Sequence, residues 1–298
     1  MDPAEILSTV VVDGEFGQPR SNAMVPWWSF SKTVLAASAL VLVRDGKLQL
    51  DETFPDKPYT LRHLLQHTAG VRNYGGLADY HDAIARGEAP WPAEELLRRV
   101  DAETLLFTPG DGWAYSNVGY LLVRRAIEAE TGESLDAALQ RILFGPLGIA
   151  GVRVAETPAD LEGNIWGNPR RTHPGWVYHG LVLGPVGAAA LFLDRLMAGD
   201  LLPEALLSHM LAAYPLGGPS PSRPFRVPGY GLGVMIDAVA GRRRCIGHTG
   251  QGPGSTAAIY HFSELQPTRT VAAFAPVEHG EASQGQLEEH VLRLATVF

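Results

Sequence analysis

From Ser31 to Arg44 the chain reads as a helix with apolar residues around nearly its whole circumference. A helix with one wet face lies at a surface, whereas one without a polar stripe must be surrounded. Its most apolar part, Val34 to Val43, is about half a membrane span, so the surroundings have to be protein. That demands a large fold, and the chain is long enough to supply one. It has 298 residues, 46% apolar and 19% charged, which is room for about two domains or one large one. A disordered or fibrous chain is excluded.

Caps and breakers place the other elements around this helix. Residues 6–12 are β-branched and close on Asp13-Gly14, a strand and turn. Thr60 caps a short helix over 61–67 that ends at Gly70. Trp91-Pro92-Ala93-Glu94-Glu95 opens another, with Pro in its first turn and acids near its positive end. Residues 117–130 are amphipathic and stop at Gly132. Ser134 caps a helix that ends before Gly145-Pro146, and 187–197 and 203–211 make two more. From Tyr230 the period changes to two: 230–239, 243–247, 256–262 and 268–277 read as strands, and a helix closes the chain over about 284–295. Runs of helices followed by runs of strands predict an α+β fold, not alternating α/β. The Pro- and Gly-rich stretch 217–229 is the expected boundary between a helical part and a sheet part. Residues 158–175 read as a long loop, a kind of segment that is often functional.

Charge and cysteine content narrow the function classes. Lys and Arg number 24 against 32 acids, a net charge of −8, and the longest basic run is Arg242-Arg243-Arg244. Non-specific nucleic-acid binding is therefore not expected. Cys245 is the one cysteine, which excludes a disulfide scaffold. The N-terminus carries acids where a secretory signal needs positive charge, and it has no apolar core before a cleavage site. The reading is a soluble, cytoplasmic protein with no membrane partner.

Three short patterns can carry chemistry. Ser29 and Lys32 stand at the start of the apolar helix, three residues apart and so on one face. A serine hydroxyl is a weak nucleophile that needs an adjacent base. A lysine serves only when neutral, and burial favours that form. Tyr115-Ser116-Asn117 precedes another helix. A tyrosine near a lysine can relay a proton, and an Asn side chain can bind a carbonyl. His248-Thr249-Gly250 ends a strand, and its glycine lets a substrate approach the backbone. The backbone N–H groups of Gln251 and Ser29 could then form an oxyanion hole. Taken singly, each pattern also has a bland reading: a capping serine with a snorkelling lysine, a buried aromatic with a capping Asn, and a turn between strands.

In this order the three boxes resemble the serine β-lactamase and penicillin-binding superfamily. The Tyr-x-Asn middle box is similar to that of the class C enzymes, the D-Ala-D-Ala carboxypeptidases, the D-aminopeptidases and the family VIII carboxylesterases. Supporting segments run from Ser29 to about Val277: Leu64-Leu65-Gln66-His67-Thr68-Ala69-Gly70, Pro109-Gly110, Tyr115-Ser116-Asn117-Val118-Gly119-Tyr120, Phe144-Gly145-Pro146-Leu147-Gly148, Tyr230-Gly231-Leu232-Gly233 and Gly247-His248-Thr249-Gly250.

The resemblance implies a β-lactamase/transpeptidase-like fold. Its sheet part, an antiparallel sheet flanked by helices, would take residues 1–50 and 226–298, and its mainly helical part 51–225, with the site in the cleft between. It implies a hydrolase of small esters or amides that works through an acyl-enzyme and without a cofactor. Ser29 would be the nucleophile, Lys32 and Tyr115 would move the proton, and Asn117, His248, Thr249, Gly250 and Gln251 would bind the substrate or its oxyanion. A true β-lactamase or carboxypeptidase is the alternative, and a penicillin-recognising binding protein with little turnover is a further one. The third box usually carries Lys in β-lactamases, and here it is His248. The expected partner is a small ester, amide or lactam, and a homo-oligomer stays open.

Trp28, Trp166, Trp176 and Tyr178 are candidates for the pocket wall. His63 and His67, four apart on a helix, form a histidine pair without the Glu or third ligand that a metal site needs, so no metal is expected. Gly250-x-Gly252-x-Gly254 is followed by a strand where a phosphate-binding loop needs a helix.

Overall fold

A computed structural model describes residues 6–165, 173–237, 245–276 and 281–297. The strands are β1 (Leu7–Val12), β2 (Glu15–Phe16), β3 (Met24–Pro26), β4 (Arg153–Ala155), β5 (Leu181–Pro185), β6 (Tyr214–Pro215), β7 (Pro228–Tyr230), β8 (Met235–Asp237), β9 (Cys245–Gly252), β10 (Ser255–Phe262) and β11 (Arg269–Pro276). Eight of them form one antiparallel sheet in the order β2-β1-β11-β10-β9-β8-β7-β6. The fold is α+β, as the sequence pattern predicts.

Strand alternation explains why the sheet is covered on both faces. Ala257, Ile259, Ala272 and Phe274 join the large core with the helix α7 (Val186–Ala198). Their neighbours Ala258, Tyr260, Val271, Ala273 and Ala275 pack with Leu287, Val291 and Ala295 of the closing helix, Glu281–Val297. Because α7 lies against β1, β10 and β11, this layer draws on residues before 226 as well. The 217–229 stretch runs from β6 into β7 of this sheet.

The apolar helix α1 (Ser31–Arg44) is surrounded as expected, with every residue from Ser31 to Leu42 buried. Against it packs α5 (Asn117–Thr131), capped by the Ser116 hydroxyl and closed by Gly132 at φ 68°. On α5 lies α2 (Leu61–Gln66), which opens with a reciprocal capping box between Thr60 and His63. No helix of the described residues is long and apolar enough to cross a membrane.

Two features depart from the sequence reading. The strand expected over 230–239 is two short strands, broken at Gly233, whose φ is 76° and whose added Cβ would come 2.3 Å from that of Ala36. The chain reverses there, because β7 and β8 are antiparallel neighbours joined by residues 231–234, and the turn packs against helix α1. The second feature was not anticipated. It is a small sheet in the order β3-β5-β4, which ties Met24–Pro26 to Leu181–Pro185 and Arg153–Ala155.

Candidate active site

The small sheet delivers the chain to Ser29. Pro26 pairs with Leu183, the Trp27 N–H donates to the Val182 carbonyl at 2.8 Å, and the Val182 N–H donates to the Ser31 hydroxyl at 3.0 Å. Ser29 then sits in a tight turn, Trp28–Phe30, that runs into α1. Trp28 has φ 46°, a left-handed conformation that costs a bulky residue about 1–3 kcal/mol. Its indole N–H donates to Ser255 Oγ at 2.8 Å. Its ring lies so close to Gly252 that a Cβ there would approach within 2.3 Å. A Cβ on Gly250 would meet the Ser29 nitrogen at 2.7 Å. Two bare positions in β9 therefore let the strand press on the backbone of the serine. Strand β8 covers β9 only from Cys245 to Gly247. Beyond that point, among the described residues, no strand covers the side of β9 away from β10.

Lys32 is the second residue of α1, with Nζ 3.2 Å from Ser29 Oγ. The side chain is wholly buried, and burial holds its amine well below the ordinary lysine range. The Tyr115 hydroxyl donates to the same Oγ at 3.0 Å. Burial raises this phenol, while its bond to Ser29 acts weakly the other way, so it keeps its proton at neutral pH. Ser29 thus has a base and an acid within reach in a dry setting, which suits proton removal from the serine and donation to a leaving group.

Tyr115 is set from below by His67, whose ring centre is 4.4 Å from its own and whose Nδ1 accepts the Ser116 N–H at 3.1 Å. Asn117 begins α5, its N–H donating to Asn73 Oδ1 at 3.1 Å.

The cavity in front of Ser29 measures about 280 Å³. Trp28, Tyr74, Tyr80 and Trp176 give it an aromatic wall, and Asn117, Gln251 and His179 give it polar points. The structure brings Ser29, Lys32 and Tyr115 together and places Asn117 and Gln251 on the lining. Gln251 Oε1 accepts from Gln284 at 2.9 Å.

Other sequence candidates lie elsewhere. Tyr178 is not on this lining, because its hydroxyl donates to the Trp91 carbonyl at 3.0 Å. Thr249 is buried, with Oγ1 3.4 Å from Arg223 Nη2. Trp166 and the run Arg242-Arg243-Arg244 fall outside the described residues.

His248, which the resemblance would put at the substrate, is fully buried and is not on the cavity lining. Its Nε2 is 2.9 Å from the Tyr230 hydroxyl, and its Nδ1 lies against the Thr249 carbonyl. Burial, helped by repulsion from Lys32, pushes its pKa down to about 3, so the ring is neutral at working pH.

The sequence reading missed His179. This buried residue follows the turn Pro174–Trp176, lines the cavity and puts Nε2 3.3 Å from Lys32 Nζ. Nothing in its spacing from the three boxes distinguishes it. The only hint is its place beside the long loop.

His63 closes the capping box of α2 while His67 stands among aromatic rings, so the two do not act as a pair. Among the described residues no group of three or more His, Cys, Asp or Glu converges on a metal position.

Buried neutral histidines make the fold acid-sensitive. Burial lowers His67 and His179, takes His248 down to about 3, and takes His261 down to about 4. The unfolded chain takes up these protons near pH 6.5, well before the folded one does. Stability is therefore full above that pH and is lost as pH falls toward the folded values. By pH 4 His248 alone removes on the order of 3 kcal/mol. Thermal melts stepped from pH 7.5 to 4.5 should show a steady fall in Tm below about pH 6. An unchanged Tm would mean that these rings are not held neutral.

A family model described as beta-lactamase matches residues 8–273. The chain is 29% identical over 160 residues to Esterase EstB of Burkholderia gladioli, covering 47% of this chain and 41% of that protein. It is 27% identical over 265 residues to a D-aminopeptidase of Brucella anthropi, covering 85% and 50%. It therefore spans no more than half the length of these two relatives. Its fold matches the D-amino acid amidase from Ochrobactrum anthropi SV3 with a TM-score of 0.81 at 22% identity, over 98% of this chain and 95% of that one.

Proposed function

The chain belongs to the beta-lactamase family, and on that premise we propose that it is a serine hydrolase that cleaves small neutral esters or amides through an acyl-enzyme. One observation carries this reading: Ser29 Oγ stands 3.2 Å from Lys32 Nζ and 3.0 Å from the Tyr115 hydroxyl at an aromatic cavity.

In the proposed cycle Ser29 Oγ attacks the acyl carbon as its proton passes to Lys32 Nζ. The Ser29 and Gln251 N–H groups receive the oxyanion. As the tetrahedral intermediate collapses, the carbon–leaving-group bond breaks. The leaving atom takes a proton from Tyr115, which is restored from the Lys32 ammonium. Asn117 holds the substrate. Water then attacks the acyl-enzyme along the reverse path and frees the acid, and Ser29 regains its hydrogen.

The preference for neutral substrates follows from the wall. Among the described residues that line the cavity, none is Asp, Glu, Lys or Arg, and His248 is neutral and buried. A substrate carboxylate finds no fixed cation there, and a substrate ammonium finds no carboxylate. The D-aminopeptidase among the relatives supports a second reading, hydrolysis of D-amino-acid amides, which the uncharged wall disfavours.

The deciding experiment compares kcat/KM at pH 7.5 for a short p-nitrophenyl ester, D-phenylalanine amide and a chromogenic cephalosporin. The ester should lead by about tenfold or more, about 1.4 kcal/mol of transition-state binding. A better rate on the cephalosporin would make the protein a β-lactamase, and a better rate on the amide would favour the second reading. One equivalent of product followed by silence on all three would make it a binding protein.

A further inference from the structure

The cycle proposed above leaves one neighbour of Lys32 unused. His179 Nε2 lies 3.3 Å from Lys32 Nζ, and His179 Nδ1 is buried without a hydrogen-bond partner. The backbone beside the ring is closely packed. Gly180 follows at φ 97°, in a space where an added Cβ would come 2.7 Å from Leu135. The chain then enters β5, the strand paired with the one that delivers Ser29. Serine and histidine thus hang from the same small sheet, and the lysine amine is held between Oγ at 3.2 Å and Nε2 at 3.3 Å.

The charged and titratable groups acting on His179 are Lys32, Arg124, His248 and His67, and none of them is a carboxylate. Lys32 itself meets Ser29 and the faces of Tyr115 and Tyr120, their ring centres 4.9 and 5.7 Å from Nζ. No anion among the described groups acting on His179 holds a cation here, and burial favours the neutral form of both amine and imidazole. A neutral amine has two N–H bonds and one lone pair. The Tyr115 O–H already donates to Ser29 Oγ, so the serine's own hydrogen needs another acceptor, and the lysine lone pair is in reach. The amine presents that lone pair to Ser29 when one of its N–H bonds is engaged on the opposite side.

We propose that His179 is a positioning residue of the proton path: its Nε2 accepts a hydrogen bond from Lys32 Nζ and so turns the amine lone pair toward Ser29 Oγ. When Ser29 attacks, the O–H bond breaks and its proton joins Lys32 Nζ. The new ammonium shares its charge through the N–H donated to Nε2, while His179 keeps its hydrogen on Nδ1. The bond strengthens as the amine gains charge, and it also aligns the lone pair beforehand, so its loss is expected to lower the rate by about 10- to 100-fold. This inference rests on the serine-hydrolase reading of the site.

The test uses three variants. In His179→Gln the amide oxygen can stand where Nε2 does. In His179→Asn it cannot reach, and in His179→Leu there is no acceptor. The expected result is a kcat for the ester about 10- to 100-fold lower in the Leu and Asn variants, with KM within about threefold of wild type. The acid limb of kcat against pH should move to lower pH, because the ammonium has lost a supporting acceptor. The Gln variant should recover to within about tenfold of wild type in kcat. Either a Leu variant with wild-type kcat and pH profile, or a Gln variant no better than Asn, overturns the proposal. Should the Leu variant not fold, the Gln and Asn pair still decides. Turnover surviving in Ser29→Ala would instead sink the serine-hydrolase reading itself, whatever the His179 variants do.

Discussion

Ser29→Ala is expected to lower kcat by on the order of a thousandfold or more while leaving Tm nearly unchanged. A nucleophile that acts as a unit with its base takes most of the rate with it. The hydroxyl bonds only to Lys32 and Tyr115 among the described hydrogen bonds, so the fold loses little. A fluorophosphonate should add once to the wild type, in the peptide spanning residues 27–32, and not at all to the variant. The competing serines already have work. Ser31 accepts the Val182 N–H, Ser116 caps α5, Ser255 accepts the Trp28 indole, and all three are buried. An adduct on any of these three would overturn the assignment.

Removing the base should be nearly as costly. Lys32→Arg puts a guanidinium that stays charged at any useful pH into a pocket with no facing carboxylate, so kcat and Tm should both fall. Lys32→Met separates the two effects. It keeps the stem and removes the amine, so kcat should drop by on the order of a thousandfold while Tm holds or rises, since a buried polar group has gone. Tyr115→Phe keeps the ring over His67 and removes only the hydroxyl, and it should lower kcat far more than it raises KM. Near-wild-type kcat in Lys32→Met would mean that the proton leaves Ser29 by another route.

Much of this was legible in the sequence wherever the signal is local. Helix α1 begins and ends where its apolar pattern does, and Thr60, Ser134 and Gly132 sit at the helix ends they were suited to, while the cap of α5 is Ser116 and not Asn117. Ser29, Lys32 and Tyr115 could be named because two are one helical turn apart and the third lies in a box of recognisable order. What escaped was set by distant partners. The strands of the small sheet are 3 to 5 residues long, too short to show a period, and β3 finds β5 across more than a hundred residues. His179 takes its place from that sheet and so left no mark in its own neighbourhood. His248 was placed on the right strand, but composition could not show that its ring would turn to Tyr230 and lose its charge.

The pairing of β1 sets a schedule for the chain on the ribosome. Leu7–Val12 emerges long before its long partner β11, with Leu7 opposite Phe274 and Val12 opposite Arg269. About 260 residues must be added between the two strands, which at roughly 5–20 residues per second is on the order of 13–50 s of waiting. Throughout that time a β-branched segment lacks the neighbour it is destined for. Ser29, 17 residues after Val12, likewise waits for Leu181–Pro185 and then for Gly250. The turn that carries Ser29 therefore cannot be packed against β9 until residues up to Gly250 have been synthesised.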